Sequence, residues 1–220
     1  MISYDIQKEA DEILQQEYSA VIARISGLAD EQKHTALAAC VAALDGEQTT
    51  KNMSLRIAAG RVIVALLPLS FGAIAELLTR RQNRHHYEVH FTLFCYLDWS
   101  QEMPAAASVA KDVLLLVKNY LMTVLRPTAR AAWMAGDMLG DHWNTAGAMP
   151  LLIQTAQTAR YSVGRQAGLL GLEKILERLS ASEAAYADAL ALIAEVSLSD
   201  RSRYVREDAN AVLGRWPRKN

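Results

Sequence analysis

The chain has 220 residues, 51% of them hydrophobic and 21% charged, with 23 basic and 24 acidic side chains. That composition excludes intrinsic disorder, which needs low hydrophobicity and a large net charge, and 11 Gly and 5 Pro exclude a collagen-like or low-complexity chain. A net charge of -1 offers no global attraction to nucleic acid or to an anionic membrane.

In chain order, the dominant period is helical. Residues 1–26 carry apolar side chains at Ile2, Ile6, Ala10, Ile13, Leu14, Tyr18, Val21, Ile22 and Ile25. This spacing by threes and fours predicts one amphipathic helix. Gly27 follows it, and Gly46 follows a second helix over 30–44; each suits the left-handed residue past a helix end. A third helix is expected over 50–67, stopped by Pro68, which lacks an amide donor. Further helices are expected over 69–82, 87–99, 105–125, 127–139, 146–158, 163–179, 182–196 and 202–216. The stretch YEVHFTLFCY at 87–96 has strand-like composition, but it has no pairing partner in sequence and reads as helix. The expectation is an all-α chain of about eleven helices.

Cys40 and Cys95 each lie in an apolar helical run. Two thiols make no stapling framework, so both are expected reduced and buried. The first ten residues hold Asp5 and Glu9 and no unbroken apolar core, unlike a secretory leader. The most apolar run, VIVALLPLSFGAIA at 62–75, is shorter than the roughly 20 residues of a bilayer span, and Pro68 interrupts it. A cytoplasmic protein without membrane association is expected.

Three segments share a basic start, small residues and a Leu–Gly or Gly–Leu step. They are ARAAWMAGDMLGD at 129–141, VGRQAGLLGLEKIL at 163–176 and VREDANAVLGRW at 205–216. Their arginines Arg130, Arg165 and Arg206 stand 35 and 41 residues apart, the spacing of two-helix repeats of about 40 residues. A basic residue early in such a helix can meet an acidic neighbour in the next repeat. Gly164, Gly168 and Gly171 follow no strand, so they read as close helix packing and not as a phosphate cradle.

With LGD at 139–141 followed by AGAMPLL at 146–152, VGRQAGLLGL at 163–172 and VREDANAVLG at 205–214, the chain resembles the HEAT-repeat family of armadillo-type α-solenoids. The likeness is clear over 127–216 and degenerate over 50–125. It implies one domain over 1–220: capping helices at 1–49, degenerate repeats at 50–126 and clearer repeats at 127–216. It implies a right-handed superhelix of helical hairpins whose concave face binds another protein, without catalysis and with no cofactor or metal. The candidate binding residues, on inner helices and inter-repeat turns, are Trp143, Arg160, Tyr161, Arg165, Arg203 and Arg206. Reversing the charge of Arg165 and Arg206 is expected to leave the melting temperature nearly unchanged.

Charge is segregated along the chain. Residues 1–50 hold 3 basic and 9 acidic side chains, 51–130 hold 10 and 5, 131–200 hold 4 and 8, and 201–220 hold 6 and 2. In a stack such blocks become patches. Most charge runs are solvated outer faces, yet a local patch steers a polar partner without any net charge.

Two clusters carry sharper readings. His85, His86 and His90 accompany Arg80, Arg81 and Arg84, with His86 and His90 four apart on one helical face. No Asp, Glu or Cys completes a ligand set and the arginines oppose a dication, so a basic turn is expected rather than a metal. Trp133, Asp137, Asp141, His142 and Trp143 form the second cluster, the first three recurring every four residues. The structural reading has the tryptophans filling gaps between repeats and Asp141 capping the helix that starts near Ala146 or holding the turn.

Trp133 and Asp137, with Arg165 in the next repeat, also resemble the HEAT-like alkylpurine DNA glycosylases. That resemblance implies duplex DNA as an alternative partner. Asp137 would stabilise positive charge on the sugar as an alkylated base departs, with Trp133 against the nucleotide's backbone. The net acidic block 131–200 departs from the basic groove that phosphate contacts favour. A third class, a chaperone or lyase that holds a pigment or other small ligand on a helical solenoid, rests on His142, Trp143 and Tyr161 near one turn.

Overall fold

The apolar run around Val62 becomes the buried axis of the first half of the chain. The computed structural model describes residues 5–46, 52–79, 87–100, 107–141, 145–179 and 183–216. Among the described residues there are twelve α-helices, one 3-10 turn and no strand. The chain divides into two compact units, Met1–Ala110 and Lys111–Asn220.

The first unit contains α1 (Ile6–Gln15), α2 (Tyr18–Ser26), α3 (Asp30–Asp45), α4 (Met53–Ala65), α5 (Phe71–Thr79) and α6 (Tyr87–Ser100). Helix α4 packs on α1, α2, α3 and α6, and every residue from Ala58 to Ala65 on it is buried. A helix enclosed on all sides must be apolar or small all round, and α4 departs from this only at Arg56 and Arg61. Arg61 closes the open end of α1. Its Nη1 donates to the Ile13 carbonyl at 2.6 Å and its Nη2 to the Gln16 carbonyl at 2.9 Å, oxygens that the last turn leaves without amides. The guanidinium carbon lies 5.7 Å from the Tyr18 ring centroid and 5.6 Å from that of Tyr96. Arg56 donates in the same manner to the Gly46 carbonyl beyond α3.

Several expectations change here. The single helix over 1–26 is two helices, because Gln16 and Glu17 are extended, with ψ of 147° and 144°. The break lies where Arg61 enters. Gly27 and Gly46 are not left-handed: their φ values are -75° and -66°. Each instead donates its amide to the preceding turn, at 3.1 Å to Ala23 and 3.2 Å to Ala42. Helix α4 ends at Ala65, and Pro68 follows across a cis peptide bond. The strand-like stretch is helical as expected, and α6 buries Val89, His90, Leu93, Phe94 and Leu97. Cys40 is buried but Cys95 only half-buried, so just one of the two thiols is a core group. Among the described residues, no helix is long and apolar enough to cross a membrane.

The second unit contains α7 (Ala110–Thr123), the 3-10 turn Arg126–Thr128, α8 (Ala129–Asp141), α9 (Thr145–Thr158), α10 (Ser162–Arg178), α11 (Ala184–Ser199) and α12 (Arg203–Arg215). Helix α10 packs on α8, α9 and α12, while α9 also meets α11. Its three glycines face three different neighbours. A methyl at Gly164 would fall on the Leu121 carbonyl of α7, and one at Gly168 would lie 2.7 Å from the Ala156 amide nitrogen of α9. At Gly171 it would lie 2.6 Å from the Gly136 carbonyl of α8. From α8, Gly136 and Gly140 face the backbone of Ala167 and Gly171. Two of the three segments that repeat in the sequence, 129–141 and 163–176, are therefore backbone-to-backbone crossings, as the glycine spacing predicts, whereas Gly214 in the third has nothing within 4 Å of an added methyl.

Candidate binding surface

The turns of the second unit are tied to one another. The Arg160 amide donates to the Met122 carbonyl at the end of α7, at 3.0 Å. The Arg160 carbonyl accepts from the Arg201 guanidinium. Three successive junctions, near residues 122, 160 and 201, thus form a hydrogen-bonded row.

Arg165, on the first turn of α10, holds this row from beneath. Its Nε donates to Asp200 Oδ2 at 2.6 Å, its Nη2 to Asp200 Oδ1 at 3.1 Å and its Nη1 to the Ala159 carbonyl at 2.9 Å. The Arg165 side chain is 3% exposed and that of Asp200 6%. Asp200 Oδ1 also accepts from the Ser202 amide at 2.7 Å, at the residue capping α12, and the Asp200 carbonyl accepts from Arg206. This two-pronged geometry, planar fork on planar carboxylate, is the strong form of a charged hydrogen bond. Arg165 thus meets an acidic residue 35 positions on, whereas Arg206, at the corresponding place in its helix, meets the backbone carbonyl of Asp200.

The consequence for the candidate residues is a division. Arg165 is buried with its donors engaged inside the protein, so its charge reversal would unfold this junction rather than leave stability unchanged. Arg206 is half-buried with a backbone partner. Arg160, Tyr161 and Arg203 are exposed. The Arg160 guanidinium carbon sits 5.3 Å from the Tyr161 ring centroid, and Arg203 pairs with Glu207 on its own helix at 2.7 Å. Trp143 and His142 lie outside the described residues, as do His85, His86 and Arg80, Arg81 and Arg84. His90 is buried in α6, and among the described residues no group of three His, Cys, Asp or Glu is placed to hold a metal ion.

Trp133, 43% exposed, and Asp137 occupy one face of α8. Asp137 faces Lys174 of α10 at 3.9 Å, and Asp141 and Glu177 approach the same ammonium at 3.6 and 3.4 Å. Partial burial pulls the Lys174 pKa down, but these three carboxylates outweigh it and hold the ammonium above the usual lysine range. Arg165 turns its donors to Asp200 and Ala159, not to Asp137. The Asp141 carbonyl accepts from Arg178, which ties the end of α8 to α10.

Four residues at the junction row escaped the sequence reading as site residues. Asp200 and Arg201 open the turn before α12, and Leu198 and Tyr204 flank it, 84% and 69% exposed. An Asp two residues before a Ser at a helix start, one repeat length after an arginine, was the available signal for Asp200. Beside the row, a 360 Å³ cavity is lined by Thr158, Arg165, Glu195, Ser199, Asp200 and Arg201. No protein family, characterised protein or solved structure matches the chain.

Proposed function

We propose that this chain is a non-enzymatic binding protein, a HEAT-like solenoid whose inter-hairpin junctions receive another protein. The observation that carries the reading is the separation of roles at those junctions. Buried groups, Arg165 and Asp200, fix the row from inside, while Arg160, Tyr161, Arg201 and Arg203 stand exposed on it. A scaffold that positions exposed side chains with interior ion pairs suits recognition better than turnover. Like helices also meet like across the second unit, α8 with α10, α10 with α12 and α9 with α11, which supports stacked hairpins. The glycosylase-like reading has less support, because Asp137 is matched by Lys174 and Arg165 is sequestered.

The test is photo-crosslinking from position 161 in extract of the source organism, with duplex DNA titrated in parallel at two salt concentrations. A discrete protein adduct, lost on unfolding, is expected. Absence of any protein adduct together with steeply salt-dependent DNA binding would overturn the proposal in favour of a nucleic-acid role.

A further inference from the structure

The chemistry of the junction row says more about its partner than exposure alone. Among the described residues, neither Arg160 nor Arg201 meets a carboxylate. The Arg201 guanidinium reaches the Arg160 carbonyl, which ties the two turns that carry these uncompensated cations to each other. Tyr161 stands exposed next to Arg160 in sequence, and the nearly bare Leu198 and exposed Tyr204 lie three residues to either side of Arg201. Clustered apolar groups on an exposed surface mark contact with another macromolecule more often than accident, and Tyr and Arg are the residues that dominate protein interfaces.

We infer that the row formed by residues 160–161 and 198–204 binds an acidic protein segment carrying apolar or aromatic side chains. The inference rests on the protein-binding reading above and names its partner class. Carboxylates on the segment would meet Arg160 and Arg201, and its apolar side chains would lie against Tyr204 and Leu198. A nucleic acid fits worse. Two free cations supply few phosphate contacts, Arg160 already covers a face of Tyr161, and Glu195 borders the adjoining cavity.

The probe is a fluorescein-labelled random Glu/Tyr copolymer, measured by anisotropy against the full chain, with a labelled duplex DNA of similar charge as comparison. The copolymer is expected to bind more tightly than the DNA and to weaken as salt rises. The Arg160→Glu/Arg201→Glu double variant should lose affinity about tenfold, the scale for reversing two rim charges. Lys111→Glu, at an exposed position on α7, should leave it unchanged. Because Arg201 also bonds a backbone carbonyl, Arg160→Glu/Arg203→Glu serves as the second variant, with circular dichroism confirming both folds. Copolymer binding unaffected by both variants, no copolymer binding at all, or tighter DNA binding would each overturn the inference. If the adduct trapped from position 161 persists in both variants, protein binding stands and only its acidic character falls.

Discussion

Replacing Asp200 by Ala tests the junction most directly. The change leaves the Arg165 guanidinium 3% exposed with two of its three hydrogen bonds gone. Breaking a buried pair by removing one partner costs about 3–5 kcal/mol, because the remaining charge stays desolvated. The lost acceptor for the Ser202 amide adds about 1 kcal/mol, the usual worth of a helix-start contact. For a chain of this size the melting temperature should fall by about 10–20 °C. Arg165→Met, which retains the stem and removes the charge, should cost nearly as much, since it strands Asp200 instead. The double variant should be about 2–3 kcal/mol less costly than the sum of the two, the signature of direct coupling. Thermal and urea unfolding followed by circular dichroism provide all three numbers. Single losses under about 1 kcal/mol, the worth of an exposed pair, or strict additivity, would refute the idea that an interior ion pair sets the turn.

Other consequences are as specific. Gly168→Ala should destabilise by about 1–3 kcal/mol, as overpacking does, because its methyl would press on the Ala156 backbone. Gly214→Ala, with nothing within 4 Å of the new methyl, should stabilise by about 0.5–1 kcal/mol, and urea midpoints decide both. Arg61→Lys should not rescue Arg61→Ala, since one ammonium cannot span the Ile13 and Gln16 carbonyls; melting temperatures within about 2 °C of each other are expected. Burial pushes the Cys95 thiol up to about 11, aided by Asp98, and the Cys40 thiol up to about 12. The folded protein thus favours the neutral thiols, and that stability is complete below the ordinary thiol range near 9. It should decline as pH rises from about 9 through 11 and 12, with raised Tyr18, Tyr96 and Tyr120 adding to the loss. Chemical unfolding at pH 8 and 10.5 checks it; equal stability at both would contradict the burial.

Helix content was legible because most helices bury a stripe, and a stripe is a local pattern, while the enclosed α4 shows as the apolar run that begins at Val62. The glycine-rich steps of α8 and α10 were legible for a related reason: small residues at helical spacing leave few alternatives to close crossing. The interior arginines were not. Arg61 stands between Gly60 and Val62, which in sequence marks the edge of an apolar run. Its actual work depends on where α1 ends, 45 residues earlier. Gly27 and Gly46 misled because a glycine after a helix permits a left-handed turn without requiring it. At the junctions, period alone pointed to arginine pairing across repeats. Burial reversed the meaning for Arg165, however: the residue selected as a contact is a fastening, and its exposed neighbours Arg160 and Arg201 carry the free charge.

That Asp200 is gripped on both oxygens, and again through its carbonyl, has a consequence for how this protein can change. Side chains above the grip, such as Tyr204 and Leu198, can be exchanged without altering the spacing of the loops that display them. On the proposed binding role, selectivity and architecture would be decoupled: a few substitutions on the rim would write new specificities, while a single change below it would erase the page.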